Sequence, residues 1–177
     1  MIRYFDAHNH LQAEGLAPHR VEVIESLMRT GVRRVVVNGT TEADWERVTA
    51  LARQYPWVFP SYGLHPWHLA RRTPEWRERL EKHLEAGSCG VGEIGLDRWL
   101  EGLDIEDQKM VFKEQLGMAA ERNLPASIHC LKAWGALHEI LRSERLPDCG
   151  VLLHSYGGSL EMVPEFAALG AYFSFSG

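Results

Sequence analysis

The chain has 177 residues, 45% of them hydrophobic, and a formal net charge of −5, enough for one substantial core and short for two domains. The mildly acidic balance excludes sequence-blind coating of nucleic acid by a basic face, while a small site in which metal ions neutralise a phosphate stays open. Three cysteines without C-x-x-C spacing exclude a disulfide framework and a cysteine zinc site.

No signal peptide is read at the N-terminus, where Arg3 and Asp6 interrupt what would be its apolar region. No apolar run approaches the ~20 residues of a membrane span, so a cytoplasmic protein with no membrane partner is expected. The first strand is predicted through Ile2, Tyr4 and Phe5 and ends in Asp6-Ala7-His8-Asn9-His10. Residues two apart on a strand share a face, so His8 and His10 project side by side, about 7 Å apart at the backbone, with Asp6 one step deeper. Two parallel imidazoles make half of a transition-metal cage. Val21, Ile24, Leu27 and Met28 predict a helix from Pro18 to Thr30, stopped by Gly31. The β-branched run Val32 to Asn38 gives the second strand. Thr41 is placed to cap a helix from Glu42 to Gln54, buried along Trp45, Val48, Leu51 and Ala52.

A third strand through Val58, Phe59 and Tyr62 ends in Gly63-Leu64-His65-Pro66, and a charged helix follows from Glu75 to Glu85. Cys89 to Ile94 is the fourth strand, ending in Gly92-Glu93-Ile94-Gly95-Leu96-Asp97. A long amphipathic helix, Ile105 to Asn123, leads to a fifth strand, Ala126 to His129, and a helix from Ala133 to Arg142. The sixth strand, Gly150 to His154, is followed by Ser155-Tyr156-Gly157-Gly158-Ser159 opening a helix, and Ala171 to Phe175 is a seventh strand.

Recurring βα units imply a parallel sheet, either doubly wound or closed as a barrel. Polar residues fall at the C-terminal ends of nearly every strand, where a barrel gathers them into one mouth, and His-Asn-His stands where a dinucleotide fingerprint would need glycines. The expected fold is therefore α/β, a TIM-like (β/α)8 barrel of which seven strands are present. It is read as a single hydrolase barrel domain over 1–177, incomplete at its C-terminal side by truncation or closed by a partner.

The strand-end set is His8, His10, His65, Glu93, His129 and His154. Strand parity puts Cys89, Val91 and Glu93 on one face, and Ser127 with His129. Histidines around one carboxylate suit divalent metals such as Zn, Mg or Mn. Their number exceeds one tetrahedral site and favours two ions about 3.5–4 Å apart. The small neighbours Gly92 and Gly95 are read as leaving room for Glu93 to bridge them. Asp97 is a candidate to support a ligand histidine from behind. Trp67 and Trp99, past strand ends, are placed to stack on a base or to pack at the rim. Cys130 faces away from His129, and His19, His68, His83 and His138 are expected in solvent.

Phe-Asp-x-His-x-His-Leu, Gly-Leu-His-Pro, Gly-Glu-Ile-Gly-Leu-Asp, Ile-His and His-Ser-Tyr-Gly-Gly-Ser, in that order, resemble the TatD family of metal-dependent deoxyribonucleases. Gln108, Phe112, Gln115-Leu116 and Asn123-Leu124-Pro125 resemble the same family. The resemblance implies a (β/α)8 barrel with a binuclear centre and 3′ exonuclease-like hydrolysis of DNA or a small phosphodiester. It assigns His8 and His10 to one ion, Glu93 as the bridge, and His129 and His154 to the second. His65 lies beside them as a catalytic and phosphate-facing residue. Where the family usually carries an Arg, this chain has Leu131 with Lys132 next to it, a point charge in place of a fork. Lys132 and Trp67 join His65 as the expected substrate contacts. No residue here fills the place of the family's last ligand, an aspartate on strand eight. The competing readings are an amidohydrolase-type enzyme on a C–N, ester or lactone bond, and a non-catalytic binding protein with a degenerate site.

Overall fold

A computed structural model of the chain describes residues 3–85 and 87–176. Its strands are β1 (Tyr4–Asn9), β2 (Val32–Asn38), β3 (Val58–Tyr62), β4 (Gly90–Asp97), β5 (Ala126–Leu131), β6 (Val151–Leu153) and β7 (Ala171–Phe173). The helices are α1 (Arg20–Arg29), α2 (Trp45–Gln54), α3 (Trp76–Leu84), α4 (Ile105–Arg122), α5 (Trp134–Ser143) and α6 (Val163–Ala168), with 3-10 turns at Glu14–His19, Pro66–Arg71 and Leu160–Met162. The strands pair in parallel in the order β1 to β7 without a reversal. That order decides between the two expected architectures. A doubly wound sheet reverses its strand order at a switch point. Right-handed crossovers in unbroken sequence instead keep the helices on one face, and the sheet curls away from them as in a barrel. Among the described residues β1 and β7 do not pair with each other, so the curled sheet is open.

The core lies between sheet and helices. Val35, Val37, Ile94, Leu96, Ile128 and Leu153 of the strands share one buried cluster with Trp45, Leu80, Phe112, Leu116, Leu137 and Phe166 of the helices. The other face is concave and opens as a cleft of about 540 Å³ bordered by Phe5, Val36, Phe59, Leu152 and Tyr172.

Helix boundaries shift where local hydrogen bonding competes with periodicity. The first predicted helix is a 3-10 turn containing Pro18 followed by α1. Thr41 does not cap α2. Instead the Asp44 carboxylate accepts from the Thr40 and Thr41 N–H groups, and the helix starts at Trp45. The Ser159 side chain caps nothing, and the stretch after it is a 3-10 turn before the six-residue α6. The long helix α4 ends at Arg122, with Asn123 in the left-handed region as its stop.

Strand parity fails on β4. Val91 and Ile94 both join the core, and they pair with Ala126 and Ile128 of β5, so three steps on one strand oppose two on the other. This irregularity is a bulge; it turns Glu93 to the concave side while Val91 stays with the helices. Gly95, at φ +146°, lies so close to β5 that a Cβ there would overlap the His129 carbonyl oxygen. Its smallness serves strand contact rather than room for ions, which corrects the expectation above.

Gly95→Ala is therefore expected to destabilise the chain by about 3 kcal/mol or more. Gly117→Ala, in α4 with nothing near its would-be Cβ, should gain about 0.5–1 kcal/mol. Urea unfolding of the two variants checks this, and equal midpoints would contradict it.

Candidate metal centre

Glu93, carried inward by the β4 bulge, is the geometric centre of the site, with a side chain only 3% exposed. Its two oxygens face two groups. Oε2 lies 3.3 Å from His8 Nε2 and 3.1 Å from His10 Nε2, both from the end of β1. Oε1 lies 3.4 Å from His65 Nε2, 3.1 Å from His129 Nδ1 and 2.7 Å from His154 Nε2, of which His65 and His154 follow β3 and β6 and His129 lies within β5. The His8 and His154 rings stack with centroids 3.8 Å apart. All six strand-end residues thus meet at one rim. Ligand atoms of His8, His10 and Glu93 lie within 4.8 Å of one another, and so do those of His65, Glu93 and His129.

The nitrogens turned away from Glu93 sort the imidazoles. His8 Nδ1 is 2.7 Å from Ser127 Oγ, His10 Nδ1 is 2.9 Å from the Asn38 carbonyl, and His129 Nε2 is 2.8 Å from Asp97 Oδ2. The outer nitrogens of His10 and His129 meet acceptors, so in the neutral ring they carry the proton and the inner lone pair is free for a cation, while His8 Nδ1 sits between the Ser127 hydroxyl and, at 3.1 Å, the Asn38 amide nitrogen. His65 is the reverse. Its Nδ1 accepts from the Trp67 backbone N–H at 3.1 Å, which leaves the proton on the inner Nε2. Distance alone puts His65 with the ligands; its hydrogen bonding makes it a donor. The donor set fits two divalent ions, one on each side of a shared carboxylate.

Electrostatics divides the imidazoles differently, pairing His8 with His65 and His10 with His129. Burial disfavours a charged Glu93, but hydrogen bonds from His10, His129, His154 and His65 outweigh it and hold the carboxyl far below the usual carboxylate range. Burial takes His8 and His65 below the ordinary histidine value despite Glu93. Burial also opposes the charged forms of His10 and His129, yet Glu93 raises both, helped by the Asn38 carbonyl for His10 and by Asp97 for His129.

The remaining expected residues divide. Trp67 is at the mouth, 44% exposed, with its ring against His65 and Nε1 donating to Asp97 Oδ2 at 2.7 Å. Lys132 is exposed, and its Nζ sits 4.0 Å over the Trp99 ring, so its charge is partly engaged by an indole. Asp6 does not share the ligand face; its carboxylate accepts from the His8 N–H and the Asn9 side chain. Cys130 is buried and pushed up to about 12 by that burial, which removes it as a nucleophile. His83 and His138, expected in solvent, are half-buried against aromatic rings. Asn38 and Ser127 were not foreseen as supports. Ser127 shares parity with His129, and Asn38 is the polar terminus of a Val-Val-Val run, a pattern that marks the other strand ends.

A family model described as TatD related DNase matches residues 5–177. The chain is 32% identical over 176 residues to the uncharacterized metal-dependent hydrolase YabD of Bacillus subtilis, covering 98% of this chain and 68% of that protein. It is 29% identical over 175 residues to the 3′-5′ ssDNA/RNA exonuclease TatD of Erwinia tasmaniensis, covering 98% and 68%. The crystal structure of YjjV, a TatD homologue from Escherichia coli K12, matches with a TM-score of 0.90 at 30% identity over 97% of this chain and 67% of that one. The chain spans about two thirds of the length of these relatives.

Because His10 and His129 are raised above the ordinary histidine value, the metal-free protein keeps protons on them to higher pH than free imidazoles would, and an ion must displace them. Zn²⁺ binding is expected to release protons and to tighten from about pH 6 to 8. Calorimetry in buffers of different ionisation enthalpy measures this, and a buffer-independent heat would contradict it.

Proposed function

The chain belongs to the TatD-related DNase family, and on that premise we propose that it is a metal-dependent hydrolase of phosphodiester bonds, acting 3′–5′ on single-stranded DNA. The observation that carries this reading is the placement of Glu93. It is a single buried carboxylate whose two oxygens face separate groups of imidazoles. His8 and His10 would hold one divalent ion, His129 and His154 a second, and Glu93 both. Zn²⁺, Mg²⁺ or Mn²⁺ bound there would supply Lewis-acid stabilisation of the phosphoryl oxygens and lower the pKa of water.

The chain's own residues do the rest. His65, neutral and with its Nε2–H aimed into the site, donates a hydrogen bond to a phosphoryl oxygen where charge grows. Trp67 offers an exposed indole face to a base next to the scissile bond. Lys132 supplies a cation at the same rim, seated over the Trp99 ring and without the directional fork of an arginine. A glutamate in the bridging place favours this chemistry over amidohydrolase-type bond cleavage, where a modified lysine often bridges.

The single-domain reading is supported by one core cluster that runs from Leu11 to Phe166. A cytoplasmic location is supported by three free cysteines; no helix among the described residues is long and apolar enough to cross a membrane.

The chain, incubated with single-stranded DNA and each of the three ions, is expected to release nucleotides from the 3′ end. Glu93→Gln, His129→Ala and His65→Ala should each lower the rate by about 10²–10³-fold. Release with none of the ions, or equal rates in the variants, would overturn the proposal.

A further inference from the structure

Asp97, the last residue of β4, is 1% exposed, yet every lone-pair direction of its carboxylate is used. Oδ1 accepts from the backbone N–H groups of Trp99 at 2.6 Å and Leu100 at 3.2 Å. Oδ2 accepts from Trp67 Nε1 at 2.7 Å and pairs with His129 Nε2 at 2.8 Å. The backbone is fixed separately. Gln108 of α4 accepts from the Asp97 N–H at 2.7 Å and donates to its carbonyl at 2.9 Å, while Asp97 registers against Leu131 of β5. The carboxylate is therefore free of any duty in holding the strand.

We infer that Asp97 is a positioning residue for the metal centre. It fixes His129 as the Nε2–H tautomer, turns the Nδ1 lone pair toward Glu93, and holds the exposed Trp67 indole to the same oxygen. This deepens the proposal that His129 is a ligand and rests on it only for the metal readout below, because the tautomer belongs to the metal-free protein.

The chemistry of an amide replacement makes the inference sharp. In Asp97→Asn one of the two acceptor positions becomes an NH2 group. If it faces His129, the imidazole must accept at Nε2, and its proton moves to Nδ1, pointing at Glu93. If it faces the loop, it opposes two backbone N–H groups. Gln108 and the β4–β5 pairing remain in either case, so the sheet keeps its register.

Zn²⁺ alone, titrated calorimetrically into the chain, should show two bound ions for wild type. In Asp97→Asn the ion that uses His129 should weaken by about 10–100-fold, while the ion at His8 and His10 keeps its affinity. Trp67→Phe, which preserves the Asp97–His129 pair, should change both by less than about threefold. Imidazole nitrogen NMR of the metal-free chain at alkaline pH should find the His129 proton on Nε2 in wild type, and on Nδ1 in Asp97→Asn when the new amide nitrogen faces His129. A wild-type His129 protonated on Nδ1, or an Asp97→Asn protein that binds both ions as wild type does, overturns the inference. If Asp97→Asn does not fold, or wild type binds no Zn²⁺, the wild-type tautomer alone decides. Loss of DNA hydrolysis with these binding and tautomer results intact would fall on the functional proposal and leave this role standing.

Discussion

A carboxylate taken almost wholly out of water must be matched by charge or hydrogen bonds, because leaving it uncompensated costs several kcal/mol. Glu93 is in that position, and its compensation comes from five imidazoles delivered by four different strands. The sites of contact are far apart in sequence, so the sheet has to bring β1, β3, β5 and β6 to one rim before the carboxylate can be buried. A parallel sheet in unbroken order does this naturally, since all strand C-termini lie at the same end. Site and fold are thus one constraint: the bulge that spoils the regular alternation of β4 is the feature that turns Glu93 inward.

The long helix α4 fixes the rim from outside. Gln108 and Gln115 stand seven residues, or about two turns, apart on one helix face. Gln108 clamps the backbone of Asp97, and Gln115 clamps Leu64 N–H at 2.7 Å and its carbonyl at 3.3 Å. One helix therefore seats the end of β4 and the residue before His65. Buried amides with both functions satisfied by backbone are directional fasteners that a purely apolar face would not supply. The hydrogen bonds on the outer imidazole nitrogens complete the arrangement, separating His10 and His129, which present a lone pair, from His65, which presents a proton.

Much of this was legible in the sequence because polar residues at the ends of apolar runs carry their own address. His8, His10, His65, Glu93, His129 and His154 all meet where strand ends placed them. What failed was reasoning that assumed regular geometry. Parity put Val91 beside Glu93 and Asp6 beside His8, and register shifts on β4 and β1 overrode each. Thr41 looked like a cap, but the helix starts later, at Trp45, and the Asp44 carboxylate turns back to the Thr40 and Thr41 N–H groups. Asn38 and Ser127 went unassigned because their value lies in which nitrogen of a distant ring they touch, and strand order alone does not reveal that.

The central claim is that Glu93 joins two cations. Electron paramagnetic resonance of the chain loaded with two equivalents of Mn²⁺ tests it most directly, because ions sharing a carboxylate about 3.5–4 Å apart are magnetically coupled. A spectrum of an exchange-coupled pair, replaced in Glu93→Gln by that of isolated ions, is the expected result. Isolated-ion signals in the wild-type chain at full loading would contradict it.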